Sequence, residues 1–173
     1  MLRTAIALVI GFILDMFFGD PSNIPHPIVL IGKLISSVKD TVKNMMPATP
    51  AGERTAGGIM WVIVCLVSYL IPLWILKALG SVSWLPALAA ESVMCWLILA
   101  AKSLKSESMK VHDAMEAGDI EGARHAVSMI VGRDTEHLDG PGIIRAAVET
   151  VAENTSDGII APMFYIALGG APL

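Results

Sequence analysis

Three carboxylates recur at four-residue spacing in the segment VETVAENTSDGIIAP, residues 148–162. Glu149, Glu153 and Asp157 form the series, and Arg145 lies one step before it. Residues four apart share one face of a helix, so the first two acids and Arg145 would form a charged stripe. The like charges repel each other, and the helix dipole disfavours them if the helix ends soon after. A hard cation such as Mg²⁺ would compensate this cost, so the three acids are predicted metal ligands.

A solvated stripe is the alternative interpretation of this segment. In that case Arg145 forms an ordinary ion pair with Glu149, and Asp157 only caps the segment that follows it. Both interpretations remain open when the residues are considered alone.

The motif GRDT, residues 132–135, lies between two predicted helices. Arg133 presents a planar fork of donors that suits phosphate or carboxylate groups. Asp134 or Thr135 can cap a short helical turn and leave backbone N–H groups free for an anion. The motif therefore predicts an anion site, with an ordinary capped turn between helices as the alternative.

A third segment, GDPSNIPHP (residues 19–27), contains three prolines, which favour an extended and stiff backbone. Asp20 and His26 are its groups that can ionise or bind a ligand. The segment is either one wall of a site or a rigid exit from a membrane, and both interpretations remain open when the residues are considered alone. The other histidines show no metal-ligand spacing and are predicted to be surface residues; they are His112, His125 and His137.

The composition indicates a membrane protein. The chain is 54% hydrophobic and 16% charged, with a mean hydropathy of +0.66, whereas soluble domains average about 25% charged residues. The net charge of −4 offers no basic surface, so nucleic acid is excluded as a partner. Cys65 and Cys95 both lie in apolar runs and are predicted to be buried thiols without a disulfide or metal role.

Apolar runs predict where the chain crosses the lipid bilayer. Residues 55–76 carry no charge and are long enough to span, because about 20 apolar residues cross the hydrocarbon core. A second span is predicted at 84–101, and a short or partial one at 4–18. Glu91 interrupts the second run and is expected to face other helices or to stay protonated. Asp15 lies in the short run 4–18 and argues against a signal peptide, so that run is predicted to be retained as a protein-buried or partial span.

The two polar regions, residues 19–54 and 102–158, are predicted to lie on the cytoplasmic side. Both carry several Lys or Arg residues, and two crossings place them on one side of the bilayer. No stretch alternates as a strand would, and no linker divides the chain. The predicted fold is therefore all-α, a single polytopic helical membrane domain with cytoplasmic helical segments between and after the spans.

Capping signals predict the helices of the second polar region. A helix over residues 103–117 should stop at Gly118, and Asp119 should cap the next one, over 120–131. Asp139, followed by Gly-Pro, predicts the start of a helix over residues 141–154.

Sequence motifs with a defined catalytic meaning are missing, among them the phosphate-binding P-loop, the dinucleotide fingerprint and the zinc-protease motif. The residues by themselves thus predict a helical membrane protein with an acidic, arginine-bearing cytoplasmic site. An enzyme acting on a phosphate-linked substrate, a transporter or sensor, and a scaffold all remain open.

Three segments, taken together, resemble the CobD/CbiB family of membrane-bound adenosylcobinamide-phosphate synthases. They are GDPSNIPHPIVLIG, AGDIEGARHAVSMIVGRDTEHLD and RAAVETVAENTSDGIIAPMFYIALGGAP. They occur in the family's order, and the long run from Gly132 to Pro172 is the most specific. Family members continue well beyond this point, so the chain is expected to be the N-terminal part of a longer protein.

The resemblance implies a reaction and its partners. The family joins aminopropanol, or its phosphate, to a propionate carboxylate of adenosylcobyric acid, with ATP and Mg²⁺ as expected cofactors. It further implies a multi-pass location in the cell membrane and contacts with other membrane proteins of corrinoid biosynthesis.

Roles for individual residues follow as expectations from residue type and position within these motifs. Glu149, Glu153 and Asp157 are expected to bind the metal. The expected nucleotide-binding residues are Arg133, Thr135 and Asn154, and the expected catalytic residues are Asp20, His26, Arg133, Asp134 and Arg145.

Overall fold

The structure is a computed structural model that describes residues 1–21 and 26–173. Every regular element in these residues is a helix. The predicted all-α fold is therefore confirmed for these residues. A π-helical turn at Ser156–Ile160 joins the last two helices. The helices are α1 (Leu2–Phe18), α2 (Pro27–Met45), α3 (Pro50–Val82), α4 (Trp84–Ile98), α5 (Ala101–Glu116), α6 (Ile120–Ser128), α7 (Gly140–Thr155) and α8 (Ala161–Gly169).

The starts of α6 and α7 follow the predicted capping signals. The Asp119 side chain accepts a hydrogen bond from the Gly122 N–H at 2.9 Å, and Asp139 accepts one from the Gly142 N–H at 2.9 Å. Pro141 lies in the first turn of α7, where its missing N–H costs nothing. Both predicted helix starts are confirmed.

The predicted end of α6 at Val131 is wrong, because the helix ends at Ser128. The N–H groups of Met129 and Ile130 bond to carbonyls three residues back, rather than four. This tighter last turn is a common way to satisfy the final carbonyls of a helix. It leaves a longer connection before α7 than the sequence predicts.

The predicted end of α7 near Asn154 agrees with the structure to within one residue, but the chain does not leave the helical conformation there. The Ser156 N–H continues the hydrogen-bond ladder to the carbonyls of Ala152 and Glu153, and the chain stays helical through the π turn into α8. Pro162 follows just after that turn and has no N–H to donate, so the turn lies where the α-helical ladder must be interrupted. Asp157 therefore lies inside a continuous helix and makes no capping hydrogen bond.

Helices α1 and α4 pack closely and run parallel to each other. Gly11 allows this approach, because a Cβ at that position would lie 2.5 Å from the Cβ of Cys95. Near the start of α1, the Arg3 Nε donates to the Oε2 of Glu91, in the middle of α4, at 2.7 Å. Near the other end, the Asp15 carboxylate reaches the residues that follow α4. Glu91 faces a neighbouring helix as expected, and Asp15 does so as well; both are buried.

Two helical stretches are long and apolar enough to cross a membrane, namely α3 and the stretch 84–116 formed by α4 and α5. The first is longer at both ends than the predicted 55–76 span. The second contains a break at Leu99 and Ala100. Most of α3 is exposed, with aromatic residues such as Trp61 and Trp74 on its surface. Cys65 is also exposed there, so its predicted burial is wrong, whereas Cys95 is buried as predicted.

A separate apolar core joins α5, α6 and α7. Its buried members are small or branched side chains that let three short helices approach closely, and the connection between α6 and α7 runs along its edge. This core positions the GRDT motif against the middle of α7. The buried residues are Val111, Ala123, Val127, Ile143 and Ala146.

Candidate functional site

An ion pair joins the GRDT motif to the acidic helix α7. The Arg133 Nη2 donates to the Glu149 Oε2 at 2.8 Å, and both side chains are about half exposed. Glu149 thus pairs with an arginine from the preceding connection, and no described residue forms an ion pair with Arg145. The Arg145–Glu149 pair considered from the sequence is therefore absent from the part of the chain that the structure describes.

The connection that carries Arg133 is held in place by its own neighbours. The Arg124 Nε on α6 donates to the carbonyl of Leu138 at 2.7 Å. The Asp134 Oδ1 accepts from the N–H of Glu136 at 2.9 Å, which closes a local turn rather than a helical cap. Thr135, an expected nucleotide-binding residue, is only 5% exposed and faces inward. The structure therefore places Thr135 in the support of the connection.

A polar cavity of about 560 Å³ opens between α6 and this connection. Arginine and histidine side chains provide cationic or hydrogen-bonding groups, and Asp134 and Glu136 provide carboxylates on the same rim. This combination can bind a phosphate group together with its metal counter-ion. The cavity is lined by Glu121, Arg124, His125, Ser128, Arg133, Asp134, Thr135 and Glu136.

One group of potential metal ligands converges among the described residues. A ligand atom from each of Asp134, Glu136 and His137 lies within 4.8 Å of the others, and all three side chains are exposed. Sequence reasoning did not select Glu136 or His137. The signal available was the spacing Asp-x-Glu-His within a connection, where a turn can bring alternate side chains together.

Glu149, Glu153 and Asp157 do not form such a convergent group in the described residues. Eight residues of helix separate the first acid from the last, a rise of about 12 Å. The π turn also rotates Asp157 away from the face that an unbroken α-helix would give it. All three are exposed, as is Asn154, and their metal and nucleotide roles stay predictions.

A second cluster of motif residues lies where α4 meets α5. The backbone N–H of Asp20 approaches the Ser103 Oγ at 3.4 Å, and the Trp96 Nε1 donates to the carbonyl of Gly19 at 2.9 Å. The π turn reaches the same junction, because a Cβ on Gly158 would lie 3.8 Å from the Cβ of Ala100. Gly19 and Asp20, at the start of the GDPSNIPHP segment, and Gly158 in the π turn therefore lie beside the same α4–α5 junction.

His26 has a structural role at the start of α2. Its Nδ1 accepts from the Ile28 N–H at 3.3 Å, and Pro27 begins the helix. The predicted stiff segment between Asp20 and His26 includes residues 22–25, which lie outside the described residues. Catalytic roles for Asp20, His26 and Arg145 stay predictions, and the Asp20 side chain is exposed.

Asp15, on α1, caps the N-terminus of α5, because the residue at the N-cap position of α5 has no side chain that could do so. The residue before that helix is Ala100, which has no capping group, and the Asp15 Oδ2 accepts from the N–H groups of Ala101 at 2.8 Å and Lys102 at 3.3 Å. The Lys102 Nζ in turn donates to the carbonyl of Phe17 at 2.6 Å. The other oxygen, the buried Oδ1, has no hydrogen-bond partner in the described parts of the chain.

Comparison with known proteins places this arrangement in a family. The family model described as CobD/Cbib protein matches residues 8–173. The "Cobalamin biosynthesis protein CobD" of Clostridium perfringens (strain 13 / Type A) is 40% identical over 97% of this chain and 52% of its own length. The "Cobalamin biosynthesis protein CbiB" of Salmonella typhi is 41% identical over 98% of this chain and 53% of its own.

The "Cobalamin biosynthesis protein CobD" of Pelobacter propionicus is 44% identical over 94% of this chain and 49% of its own length. The chain thus spans about half the length of the curated relatives it matches. No solved structure matches it. The family match covers nearly all of the residues described above, and the chain belongs to the CobD/CbiB family.

Proposed function

We propose that this protein acts in cobalamin biosynthesis as a membrane-bound, amide-forming enzyme. In the proposed reaction, ATP drives the joining of aminopropanol, or its phosphate, to a propionate carboxylate of adenosylcobyric acid. The names of the relatives support the pathway. The Arg133–Glu149 ion pair supports the site, because it fixes a phosphate-binding side chain on the rim of a polar cavity.

The chemistry of an unactivated carboxylate explains why such a site needs fixed cationic groups. The substrate carboxylate attacks the terminal phosphorus of ATP, and ADP leaves, which gives an acyl phosphate. The amine nitrogen then attacks the acyl carbon, a C–N bond forms, inorganic phosphate leaves, and the amine proton passes to a base. Negative charge moves between oxygens throughout, so donors that are already oriented lower the barrier.

Arg133 is suited to hold those oxygens. Its Nη2 is bound to Glu149, and its other nitrogens have no hydrogen-bond partner among the described residues. Because one edge of the guanidinium is anchored, less side-chain entropy is lost when the free nitrogens bind phosphate. Glu149 is a positioning residue in this proposal, since it acts through the arginine.

The residues beside Arg133 fit a magnesium ion. Mg²⁺ is usually bound by one or two protein carboxylates together with substrate phosphates, and Asp134 and Glu136 present two converging carboxylates beside the cavity. These two residues would hold the ion. When bound, it would neutralise phosphate charge.

Replacing Arg133 with glutamine is expected to lower amide formation by roughly 10- to 100-fold, the equivalent of one charge-assisted hydrogen bond in the transition state. Membranes carrying the protein would be incubated with adenosylcobyric acid, aminopropanol phosphate and Mg·ATP, and the amide product would be measured. Arg54→Gln, an exposed arginine outside the site, is the matched control. If wild-type membranes form no ATP-dependent amide, the proposed reaction is wrong.

Two pairs of substitutions separate the two possible metal sites. We expect the paired substitutions Asp134→Asn and Glu136→Gln to raise the Mg²⁺ concentration needed for half-maximal activity by about tenfold or more, since both candidate carboxylate ligands are lost. The sequence prediction instead assigns this effect to Glu149→Gln with Glu153→Gln. If the second pair raises the Mg²⁺ concentration for half-maximal activity more than the first pair does, the ion is bound by α7 rather than by the α6–α7 connection.

We also propose that α3 and α4 cross the cell membrane and that α1 enters it beside α4. The parallel packing of α1 and α4 puts Gly19 on the side of α5. The segments that follow α1 and α4 contain the lysines of both polar regions, so the positive-inside rule assigns that side to the cytoplasm.

Cysteine labelling tests this orientation in a Cys65→Ser background. Ser36→Cys and Ser128→Cys are expected to resist an impermeant maleimide in intact cells and to react after the cells are opened. Ser83→Cys, in the connection between α3 and α4, is the control expected to react in intact cells. Labelling of residues 36 and 128 from opposite sides would contradict the orientation.

A further inference from the structure

A cavity of about 320 Å³ lies between the end of α2 and the first turns of α3. We call it the elbow pocket. Two lysines of α2, Lys39 and Lys43, lie at its wall beside the apolar Val42. Gly57 and Met60 line it from α3. It is separate from the α6–α7 connection and from every residue assigned to the reaction above.

The charged side chains of the elbow pocket have no ion-pair partner among the residues that the structure describes. Lys39 and Lys43 are one helical turn apart and share a face of α2. Neither lysine, nor Glu53 on the opposite wall, forms an ion pair with any residue that the structure describes. Two cations and one anion leave a net positive pocket that also offers one acceptor. A ligand that carries an anionic group and a nearby hydroxyl would bind both lysines and Glu53.

The apolar part of the pocket indicates that the anionic group and the hydroxyl belong to a lipid headgroup. The pocket ends beside Gly57 and Met60, which lie in the stretch 55–76 of α3 that contains no charged residue. A Cβ on Gly57 would meet nothing within 4 Å, so the helix surface is open there. A headgroup at the lysines would therefore have its acyl chain beside the exposed apolar surface of α3.

We propose that the elbow pocket binds one molecule of an anionic glycerophospholipid with a hydroxylated headgroup, such as phosphatidylglycerol. The lipid phosphate lies between Lys39 and Lys43, and a headgroup hydroxyl donates to Glu53. One acyl chain follows Gly57 and Met60. This inference rests on the proposed membrane placement of α3 and on no other part of the proposed function.

The test measures which lipid stays bound. The full chain would be reconstituted in nanodiscs that contain equal amounts of phosphatidylglycerol and phosphatidylcholine, released into the gas phase, and analysed by native mass spectrometry. Wild type is expected to retain one phosphatidylglycerol with about tenfold preference. Lys39→Gln with Lys43→Gln is expected to abolish that preference, whereas Lys33→Gln, on α2 but outside the pocket, is expected to keep it.

A pair of adjacent glycines gives a second, steric control. Gly57→Leu fills the pocket, and Gly58→Leu adds the same side chain outside it, while a Cβ at either position meets no neighbour within 4 Å. Retention should fall about tenfold in the first variant only. Equal retention in the two leucine variants, or equal binding of both lipids by wild type, would overturn the proposal.

Two further measurements separate the sources of failure. Release of the bound lipid by millimolar glycerol phosphate would show a site for a soluble phosphate and overturn the lipid assignment. Extraction of the protein from membranes by carbonate, without detergent, would contradict the membrane placement of α3, and with it this inference. A wild-type protein that shows no lipid preference but still needs detergent for extraction would contradict the lipid site and leave the membrane placement intact.

Discussion

Replacing Arg3 with methionine is expected to lower the free energy of unfolding by about 3 kcal/mol, because it leaves a buried carboxylate without its partner. The Glu91 side chain is 1% exposed, and its Oε2 lies 2.7 Å from the Arg3 Nε. Gly170 closes the other side of this carboxylate, since a Cβ there would lie 3.0 Å from the Oε1. Unfolding of the purified protein in mixed micelles, followed by circular dichroism, measures the change.

The double variant with Arg3→Met and Glu91→Met is expected to recover most of that loss, because apolar side chains of similar volume often replace a buried pair without cost. Lys110→Met removes an exposed pair with Glu107 and is expected to change stability by less than about 1 kcal/mol. If the double variant is as unstable as Arg3→Met, the loss comes from packing rather than from an unpaired charge.

Substituting leucine for Asp15 is expected to lower the free energy of unfolding by about 2 kcal/mol, because the N–H groups of Ala101 and Lys102 lose the carboxylate oxygen that accepts from both. Asp15→Asn keeps one carbonyl oxygen and should lose less than half as much. Hydrogen exchange should accelerate at these two amides in the leucine variant before it accelerates elsewhere in α5. Unfolding in mixed micelles gives the free energy, and exchange mass spectrometry gives the site.

Asp119→Ala is the matched control for a helix cap. Asp119 makes the same kind of hydrogen bond at the start of α6, but its side chain is exposed. Water can replace the lost acceptor there, so the expected cost is about 1 kcal/mol, and exchange in α5 should stay unchanged. Unchanged exchange at Ala101 and Lys102 in the Asp15→Leu variant would show that Asp15 does not cap α5.

Local signals in the sequence predict much of the helical order. Asp119 and Asp139 each cap a helix through a residue three positions further on. Because both partners lie in one short stretch of sequence, such a cap can be predicted without knowledge of the tertiary structure. The continuation of α7 through Asp157 was not predicted, because a run of polar residues resembles a helix end. Only the backbone hydrogen bonds of the π turn distinguish a continued helix from a terminated one.

Contacts between distant residues account for what the sequence did not predict. The cap of α5 comes from Asp15, 86 residues before Ala101, and the partner of Glu91 is 88 residues away. The position of Glu91 in an apolar run predicted that it faces other helices, but it gave no indication of which group it meets. Likewise, Arg133 and Glu149 were each selected for their chemistry, but their pairing depends on how α6 and α7 pack.

The helix continues without a break from α7 through the π turn into α8. It therefore connects the Arg133–Glu149 ion pair rigidly to the core that α8 forms with α1 and α4. Ile166, in α8, is buried with Ala7 and Cys95, whereas Glu149 meets Arg133 about 25 Å away along the same helix. At that length, a tilt of about 5° would displace Glu149 by about 2 Å. A backbone displacement of that size at Glu149 must therefore bend the helix at the π turn or reorient α8 against α1 and α4.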